Sequence, residues 1–265
     1  MVLLLISLIA YGIIGVLSGI LAGLLGIGGG VIAVPCLYFI FSFLDFPQPY
    51  LMHLAIGTSL ASMILNTLSS TLGHNKRGSV VWKVVKQMAL GLVLGTVLGA
   101  LSANLLSGIV LEIFFGVFLL ILAWHFWKHE PHYDELYHLP RTRILFIWST
   151  GIGAVSNLLG IGGGTLIVPL LNAYKIPHKK AIGTSSACSL ILTTAGTIAY
   201  LIVGWENTQF PITLGYINLP AFVVVGITSF FSARYGVKLA HELNAKKVRK
   251  IFAVVLLVTG LMMVI

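Results

Sequence analysis

Leu24-Leu25-Gly26-Ile27-Gly28-Gly29-Gly30 is repeated letter for letter as Leu158-Leu159-Gly160-Ile161-Gly162-Gly163-Gly164 in this chain of 265 residues. A proline follows each copy at the same distance, as Pro35 and Pro169. A long exact match of this kind within one chain indicates an internal duplication. The glycine-rich stretches are therefore equivalent points in two halves of the fold.

A second motif extends the duplication. Ala55-Ile56-Gly57-Thr58-Ser59 recurs as Ala181-Ile182-Gly183-Thr184-Ser185, in the same order relative to the first motif. We therefore predict an N-terminal repeat over residues 1–127 and a C-terminal repeat over 144–265. The polar stretch 128–143 between them is predicted to be a cytoplasmic linker.

The composition places both repeats in a membrane. Hydrophobic residues make up 58% of the chain and charged residues 9%, against roughly 45–50% and about 25% in soluble proteins. Apolar blocks recur along the whole sequence, so we predict one multi-pass domain in the cell inner or plasma membrane. The basic residues lie between the blocks and not along one face with aromatics, which argues against nucleic-acid binding. The first block has no preceding Lys or Arg, which is unlike a cleaved targeting peptide.

The apolar blocks predict an all-α integral membrane protein with eight long spans and two half-helices. The long spans are predicted near 2–25, 53–72, 84–106, 109–127, 144–159, 181–203, 217–235 and 248–264. The short blocks are 31–44 and 165–173. At 1.5 Å per residue the longer of these is about 21 Å, shorter than a hydrocarbon core of about 30 Å. Both are predicted to belong to re-entrant hairpins.

The positive charges predict the topology, because cytoplasmic loops carry the excess of Lys and Arg. All 16 fall within 76–86, 128–143, 175–180 and 234–250. If the second and third of these segments are both cytoplasmic, residues 144–173 must enter the membrane and return to the same side. We therefore predict two inverted repeats, each with a re-entrant hairpin and three spanning helices, and both termini outside.

The glycine-rich stretches predict an anion site. Each precedes a half-helix, so free backbone N–H groups and the positive end of the helix dipole face the break. In inverted-repeat transporters such breaks lie near the bilayer midplane and hold the substrate. The candidate ligands are Gly26, Gly28, Gly29, Gly30, Gly160, Gly162, Gly163 and Gly164. The alternative is close helix packing, because small residues also line membrane helix interfaces.

Hydroxyl groups near these stretches could complete the coordination of an oxyanion. The candidates are Thr58, Ser59, Thr165, Thr184, Ser185 and Ser186. Their alternative role is a bond to a carbonyl in their own helix or to a neighbouring helix. No acidic or basic residue is predicted at mid-membrane depth, so the site would be neutral apart from dipoles. We predict no cofactor and no metal, because the His-rich stretch 125–138 has no zinc-site spacing.

At its paired glycine and Ala-Ile-Gly-Thr-Ser motifs the chain resembles the TauE/SafE family, also called the toluene sulfonate uptake permease family, over essentially its full length. The resemblance implies export or uptake of a small inorganic or organic sulfur anion, such as sulfite, sulfoacetate or another organosulfonate. The absence of Walker motifs favours secondary transport over a pump.

Two other classes stay open on the sequence. One is a membrane-embedded enzyme with Cys36 or Cys188 as nucleophile, which is disfavoured because the repeat places no histidine beside either. The other is a structural or sensory membrane protein. The particular anion, the direction of transport and the formation of homo-oligomers are not decided by the sequence.

Overall fold

A computed structural model describes residues 2–26, 28–128, 141–205, 212–242 and 245–264. Most of the predicted linker 128–143, with its histidines, lies outside these residues. Within them the chain is almost entirely helical, which confirms the predicted all-α membrane fold. Among the described residues, six helices are long and apolar enough to cross a membrane.

The helices follow the duplication. In the first half they are α1 Val2–Leu25, α2 Gly30–Phe43, α3 Leu51–Lys76, α4 Trp82–Leu105 and α5 Gly108–Lys128. In the second half they are α6 Thr142–Leu158, α7 Gly164–Ala173, α8 His178–Val203, α9 Leu219–Glu242 and α10 Ala245–Val264. A 3-10 turn at Gln48–Tyr50 precedes α3, and a hairpin of β1 Thr213–Leu214 with antiparallel β2 Ile217–Asn218 precedes α9. The predicted short blocks are α2 and α7.

Exposed apolar side chains cover the outside of the bundle, while α3 is its most buried helix. Leu105 and Ile109 are 85% and 70% exposed, as is normal for side chains that face lipid. By contrast 83% of the apolar window of α3 is buried inside the protein. The helix that carries the first Ala-Ile-Gly-Thr-Ser motif is thus at the centre of the fold.

Small residues allow two pairs of helices to pack closely. A Cβ at Gly19 of α1 would clash with the backbone of Ser229 in α9, and a Cβ at Gly95 of α4 would clash with the backbone of Thr150 in α6. Close backbone approach at small residues is the usual way in which membrane helices associate. Because α1 corresponds to α6 and α9 to α4, these two interfaces are equivalent under the duplication.

The central helices α3 and α8 run antiparallel. The hydroxyl oxygens of Thr67 and Thr193 lie 3.5 Å apart, and those of Ser70 and Ser186 lie 3.0 Å apart. The residue number rises along one helix as it falls along the other. Thr67 and Thr193 are equivalent positions of the two motifs' helices, so equivalent hydroxyls of α3 and α8 lie side by side.

The end of α3 and the starts of α4, α6 and α8 lie at one end of the bundle, which is here called the basic face. The Val81 N–H donates to Thr184 Oγ1 at 2.9 Å, and Gln87 Nε2 donates to Thr142 Oγ1 at 3.0 Å. Since α6 starts at this face and α7 leads directly into the first turn of α8, residues 142–178 leave the basic face and return to it. The opposite end of the bundle is here called the tyrosine face. There the rings of Tyr50, His53 and Tyr200 contact the ring of Tyr216, with centroid distances of 5.1–6.4 Å.

Candidate functional site

In the two glycine turns, residues 26–30 and 160–164, equivalent glycines have similar positive φ angles. The φ angles are +68°, +77° and +79° at Gly26, Gly28 and Gly29, and +68°, +65° and +79° at Gly160, Gly162 and Gly163. This left-handed region carries a steric penalty for residues with a Cβ. The glycines are therefore required by the turn itself, apart from any contact with a ligand. Ile27 lies outside the described residues.

The turns of the two halves touch each other. A Cβ at Gly28 would lie 3.6 Å from the Cα of Gly162, and a Cβ at Gly30 would clash with the carbonyl oxygen of Gly160. A side chain at Gly30 would therefore force the turns apart, whereas the contact at Gly28 is an ordinary van der Waals contact. The duplication thus brings its two most similar segments into direct backbone contact.

The start of each half-helix has N–H groups without a helical acceptor. In α2 the first bonds run from the N–H groups of Ile32 and Ala33 to Gly29 O, and in α7 they run from Leu166 and Ile167 to Gly163 O. The N–H groups that precede them have no carbonyl one turn earlier. The N-cap residues of both helices are glycines, without a side-chain cap. An anion is the ligand that matches such a helix start.

Two serines of the Ala-Ile-Gly-Thr-Ser motifs hold the turns. Ser59 Oγ donates to Gly160 O at 3.3 Å, and Ser185 Oγ donates to Gly26 O at 3.1 Å. Each serine thus binds the turn of the other half. Because a hydroxyl has one hydrogen to donate, these serines position the turn backbones in this conformation and do not present their hydrogens to a ligand.

Of the four other predicted hydroxyls, three bond to groups outside the turns. Thr58 Oγ1 accepts the N–H of Asn218, and Thr184 Oγ1 accepts the N–H of Val81, each at 2.9 Å. These bonds anchor the connections before α9 and α4. They use an acceptor lone pair and leave each threonine hydrogen available. Ser186 Oγ donates to Ile182 O in its own helix at 3.1 Å and lies beside Ser70.

Met63, which the sequence analysis did not single out, lies between the two turns. A Cβ at Gly28 would be 3.2 Å from Met63 Sδ, and a Cβ at Gly162 would be 3.3 Å from it. Asn66 on the next turn of α3 donates to Gly28 O at 3.0 Å. Met63 follows Ser59 by four residues, which places the two on one helix face. That spacing was the available signal for both Met63 and Asn66.

Several buried polar atoms around the turns have no hydrogen-bond partner within the described residues. They include Asn66 Oδ1, Thr96 Oγ1, Ser156 Oγ, Asn157 Oδ1, Thr165 Oγ1 and Ser189 Oγ. All six side chains are completely buried. Buried polar groups are normally paired, so an unpaired group beside a helix break points to a ligand or to water.

Three of the four unpaired hydroxyls in this set belong to the second half, and the fourth, Thr96, lies on α4. Thr165, Ser189 and Ser156 occupy positions that correspond to Val31, Met63 and Ala22 in the first repeat. The first half therefore has apolar side chains where the second half has hydroxyls. If one ligand binds between the turns, these positions offer it side-chain donors from the second half only.

The atoms nearest to the turns belong to uncharged side chains, such as Met63, Ile182 and Ser18. Within the described part of the chain no three His, Cys, Asp or Glu residues are grouped as a metal site would require. His53 lies at the tyrosine face, where Nε2 is 3.1 Å from Ala103 O. The turns therefore provide a site whose electrostatics come from backbone and hydroxyl dipoles.

Comparisons with known proteins point to one family. The family model described as "Sulfite exporter TauE/SafE" matches residues 11–263. A "Probable membrane transporter protein" of Haemophilus influenzae is 34% identical over 95% of this chain and 96% of that protein. Similar proteins carrying the same description are 32% identical in Methanocaldococcus jannaschii, over 96% of this chain and 94% of that protein, and 26% identical in Bacillus subtilis, over 96% of each. No solved structure matches the chain.

Proposed function

The chain belongs to the sulfite exporter TauE/SafE family of membrane transporters, and from this premise we propose that it is a secondary transporter of a small sulfur-containing anion. Sulfite, sulfoacetate and other organosulfonates are the proposed substrates. The proposed site lies between the two glycine turns, near the bilayer midplane. The family and the descriptions of its relatives favour a transporter over an enzyme.

The contact between the two turns is the observation that carries this proposal. Two helix starts meet there, each with N–H groups that have no helical acceptor, and the nearest side chains are uncharged. Backbone N–H groups and two helix dipoles can hold an anion without a buried cation. A neutral site also suits a transporter, because a fixed positive charge would retain an anion that must be released on the other side.

The hydroxyls of Thr165 and Ser189 are proposed to complete the site. Both are buried and unpaired, and each can donate to a sulfonate or sulfite oxygen. Thr58 and Thr184 bond loops at opposite ends of the bundle, so they are not proposed to share one anion between the turns. Ser59 and Ser185 act indirectly, by holding the turn carbonyls.

We propose an inverted arrangement of the repeats, with alternating access through movement of one half against the other. The antiparallel α3 and α8, and the return of residues 142–178 to the basic face, support it. The flat glycine interfaces between α1 and α9, and between α4 and α6, offer surfaces along which helices can slide. Met63 packs against both turns in this conformation, so its flexible side chain must move before an anion can contact both of them.

Flux of labelled sulfite and of a labelled organosulfonate into proteoliposomes tests the proposal. Gly163→Val should abolish flux, because valine is strained at φ +79° and its Cβ would lie 2.9 Å from Leu192. Gly151→Val in α6 is the matched control, since a Cβ there meets nothing within 4 Å. Wild-type protein that inserts correctly and moves neither anion would contradict the substrate class. Normal flux in a folded Gly163→Val variant would contradict the site.

A further inference from the structure

A basic pocket lies at the basic face, between the end of α3 and the second half of α9. Its volume is about 300 Å³, and it is lined by Ser69, Leu72, Gly73, Lys76, Arg77 and Arg234. Three of these six residues are cations and none is acidic. The charge and the concave shape together match a compact anionic group.

Local contacts position two of the cations and leave most of their donors available. The guanidinium of Arg234 lies over the Phe230 ring, 5.1 Å from its centroid. Arg77 Nη1 donates to Gly73 O at 3.1 Å. A guanidinium has five N–H donors in a planar fork that fits phosphate oxygens. After the ring contact of Arg234 and the single hydrogen bond of Arg77, both side chains can still donate to a phosphate.

The surroundings of the pocket are apolar and face outward. Leu72 in the pocket wall is 50% exposed, and Ile227 and Phe231, two turns and one turn before Arg234 on α9, are 50% and 57% exposed. On a membrane-spanning helix such side chains contact acyl chains. A ligand that enters from this side is therefore amphipathic, with its anionic group at the cations and its apolar part beside Leu72.

The duplication supplies an internal control for the charges. When Gly57 is aligned with Gly183, Leu72 corresponds to Ile198 and Lys76 corresponds to Ile202. When α4 is aligned with α9, Arg234 corresponds to Val97. These equivalents are exposed apolar residues, at 55%, 65% and 42%. The equivalent helices of the other half pack without cations at these positions. Helix packing therefore does not explain why Lys76 and Arg234 are cations.

We propose that this pocket binds the phosphate group of an anionic phospholipid in the leaflet at the basic face. Basic pockets between membrane helices on the cytoplasmic side characteristically take such headgroups. The pocket extends along α3 from Ser69 to Arg77, and its cation Lys76 lies about 20 Å along the helix from Met63 at 1.5 Å per residue, so the cations are remote from the glycine turns. A lipid bound there would bridge α3 and α9 and stabilise their packing.

Binding of a fluorescent short-chain phosphatidylglycerol to the full-length protein in neutral detergent tests the proposal. Unlabelled phosphatidylglycerol should displace the probe, whereas phosphatidylcholine and inorganic phosphate at the same concentration should not. The triple variant Lys76→Gln/Arg77→Gln/Arg234→Gln should bind roughly a hundredfold more weakly. The control Lys83→Gln/Arg141→Gln/Lys179→Gln removes the same charge elsewhere and should bind normally.

Each other outcome contradicts the lipid site in a distinct way. Displacement by inorganic phosphate would identify a site for a soluble anion, and displacement by phosphatidylcholine would identify a purely apolar surface. Equal weakening in both triple variants would show that only diffuse charge matters. If the triple variant does not fold, Arg234→Gln alone should weaken binding roughly fivefold, and normal binding by this variant would overturn the proposal.

Discussion

Ser59 Oγ donates to Gly160 O at 3.3 Å, so the central helix of one half holds the glycine turn of the other. Ser59→Ala should therefore lower stability by about 0.5–1.5 kcal/mol, the net value of one such bond. It should also lower the rate of transport, because the Gly160 carbonyl loses its restraint. Ser102→Ala, an exposed site on α4, is the control. Equal thermal midpoints for the two variants in detergent would show that the Ser59 bond does not hold the turn.

Thr58 and Thr184 are expected to stabilise the fold at its two opposite ends. Valine removes the acceptor for the Asn218 or Val81 N–H, so each single variant should have a lower thermal midpoint. Because the two loops lie at opposite ends of the bundle, the losses of stability should add in the double variant. A hydroxyl that donated to the anion would cost about 1.5–3 kcal/mol when removed, or roughly ten- to over a hundredfold in affinity. A non-additive loss of affinity in the double variant would contradict this separation and place both threonines at one site.

The fold could be predicted because the duplicated glycines and the apolar blocks are long and redundant signals. The short blocks 31–44 and 165–173 became α2 Gly30–Phe43 and α7 Gly164–Ala173, within one residue at each end. Hydropathy finds such spans because lipid leaves the backbone few alternatives to a helix. The β1–β2 hairpin was not predicted, since two strands of two residues have no periodicity to detect.

The site was predictable only in part. The glycines were identifiable because φ angles near +70° leave few other choices. Met63 was missed because a methionine in an apolar helix carries no signal of its own, and only its spacing from Ser59 marks it. Whether a hydroxyl bonds its own helix, as Ser186 does, or stays unpaired, as Thr165 does, depends on tertiary contacts that the sequence does not show.

The inverted topology predicts that Lys179 faces the cytoplasm and Gln48 the outside. Both side chains are exposed, so a cysteine at either position can be labelled without disturbing the core. In intact cells a membrane-impermeant maleimide should label Gln48→Cys and spare Lys179→Cys, in a background with Cys36 and Cys188 replaced by alanine. Permeabilised cells, in which both should react, provide the control. Labelling of Lys179→Cys in sealed cells would contradict the arrangement.

Met63 is expected to set the size of the anion that passes between the turns. Met63→Ala removes the side chain that packs against both Gly28 and Gly162, so flux of a bulky arylsulfonate should rise relative to that of sulfite. A buried methionine truncation also costs about 2–5 kcal/mol. Met88→Ala, at an equally buried methionine on α4, controls for that cost. A matching change in the flux ratio for both variants would show that Met63 has no selective role.

A Thr165 variant distinguishes most clearly between a ligand-binding role and a packing role for the start of α7. The Thr165 hydroxyl is buried, lies in the first turn of α7 and has no hydrogen-bond partner within the described residues. Thr165→Val keeps the shape and removes a polar group that folding leaves unpaired, so the free protein should be as stable as wild type or more stable. If the hydroxyl donates to the anion, affinity should nevertheless fall about ten- to a hundredfold or more.

Thr194→Val provides the control, because the Thr194 hydroxyl is exposed and donates to Leu190 O in its own helix at 2.8 Å. The measurement is the thermal midpoint of each variant with and without saturating sulfite: the anion should raise the midpoint of wild type and Thr194→Val, and should raise that of Thr165→Val much less. A Thr165→Val protein that is stable and fully stabilised by sulfite would remove this hydroxyl from the site and would favour packing as the role of the start of α7.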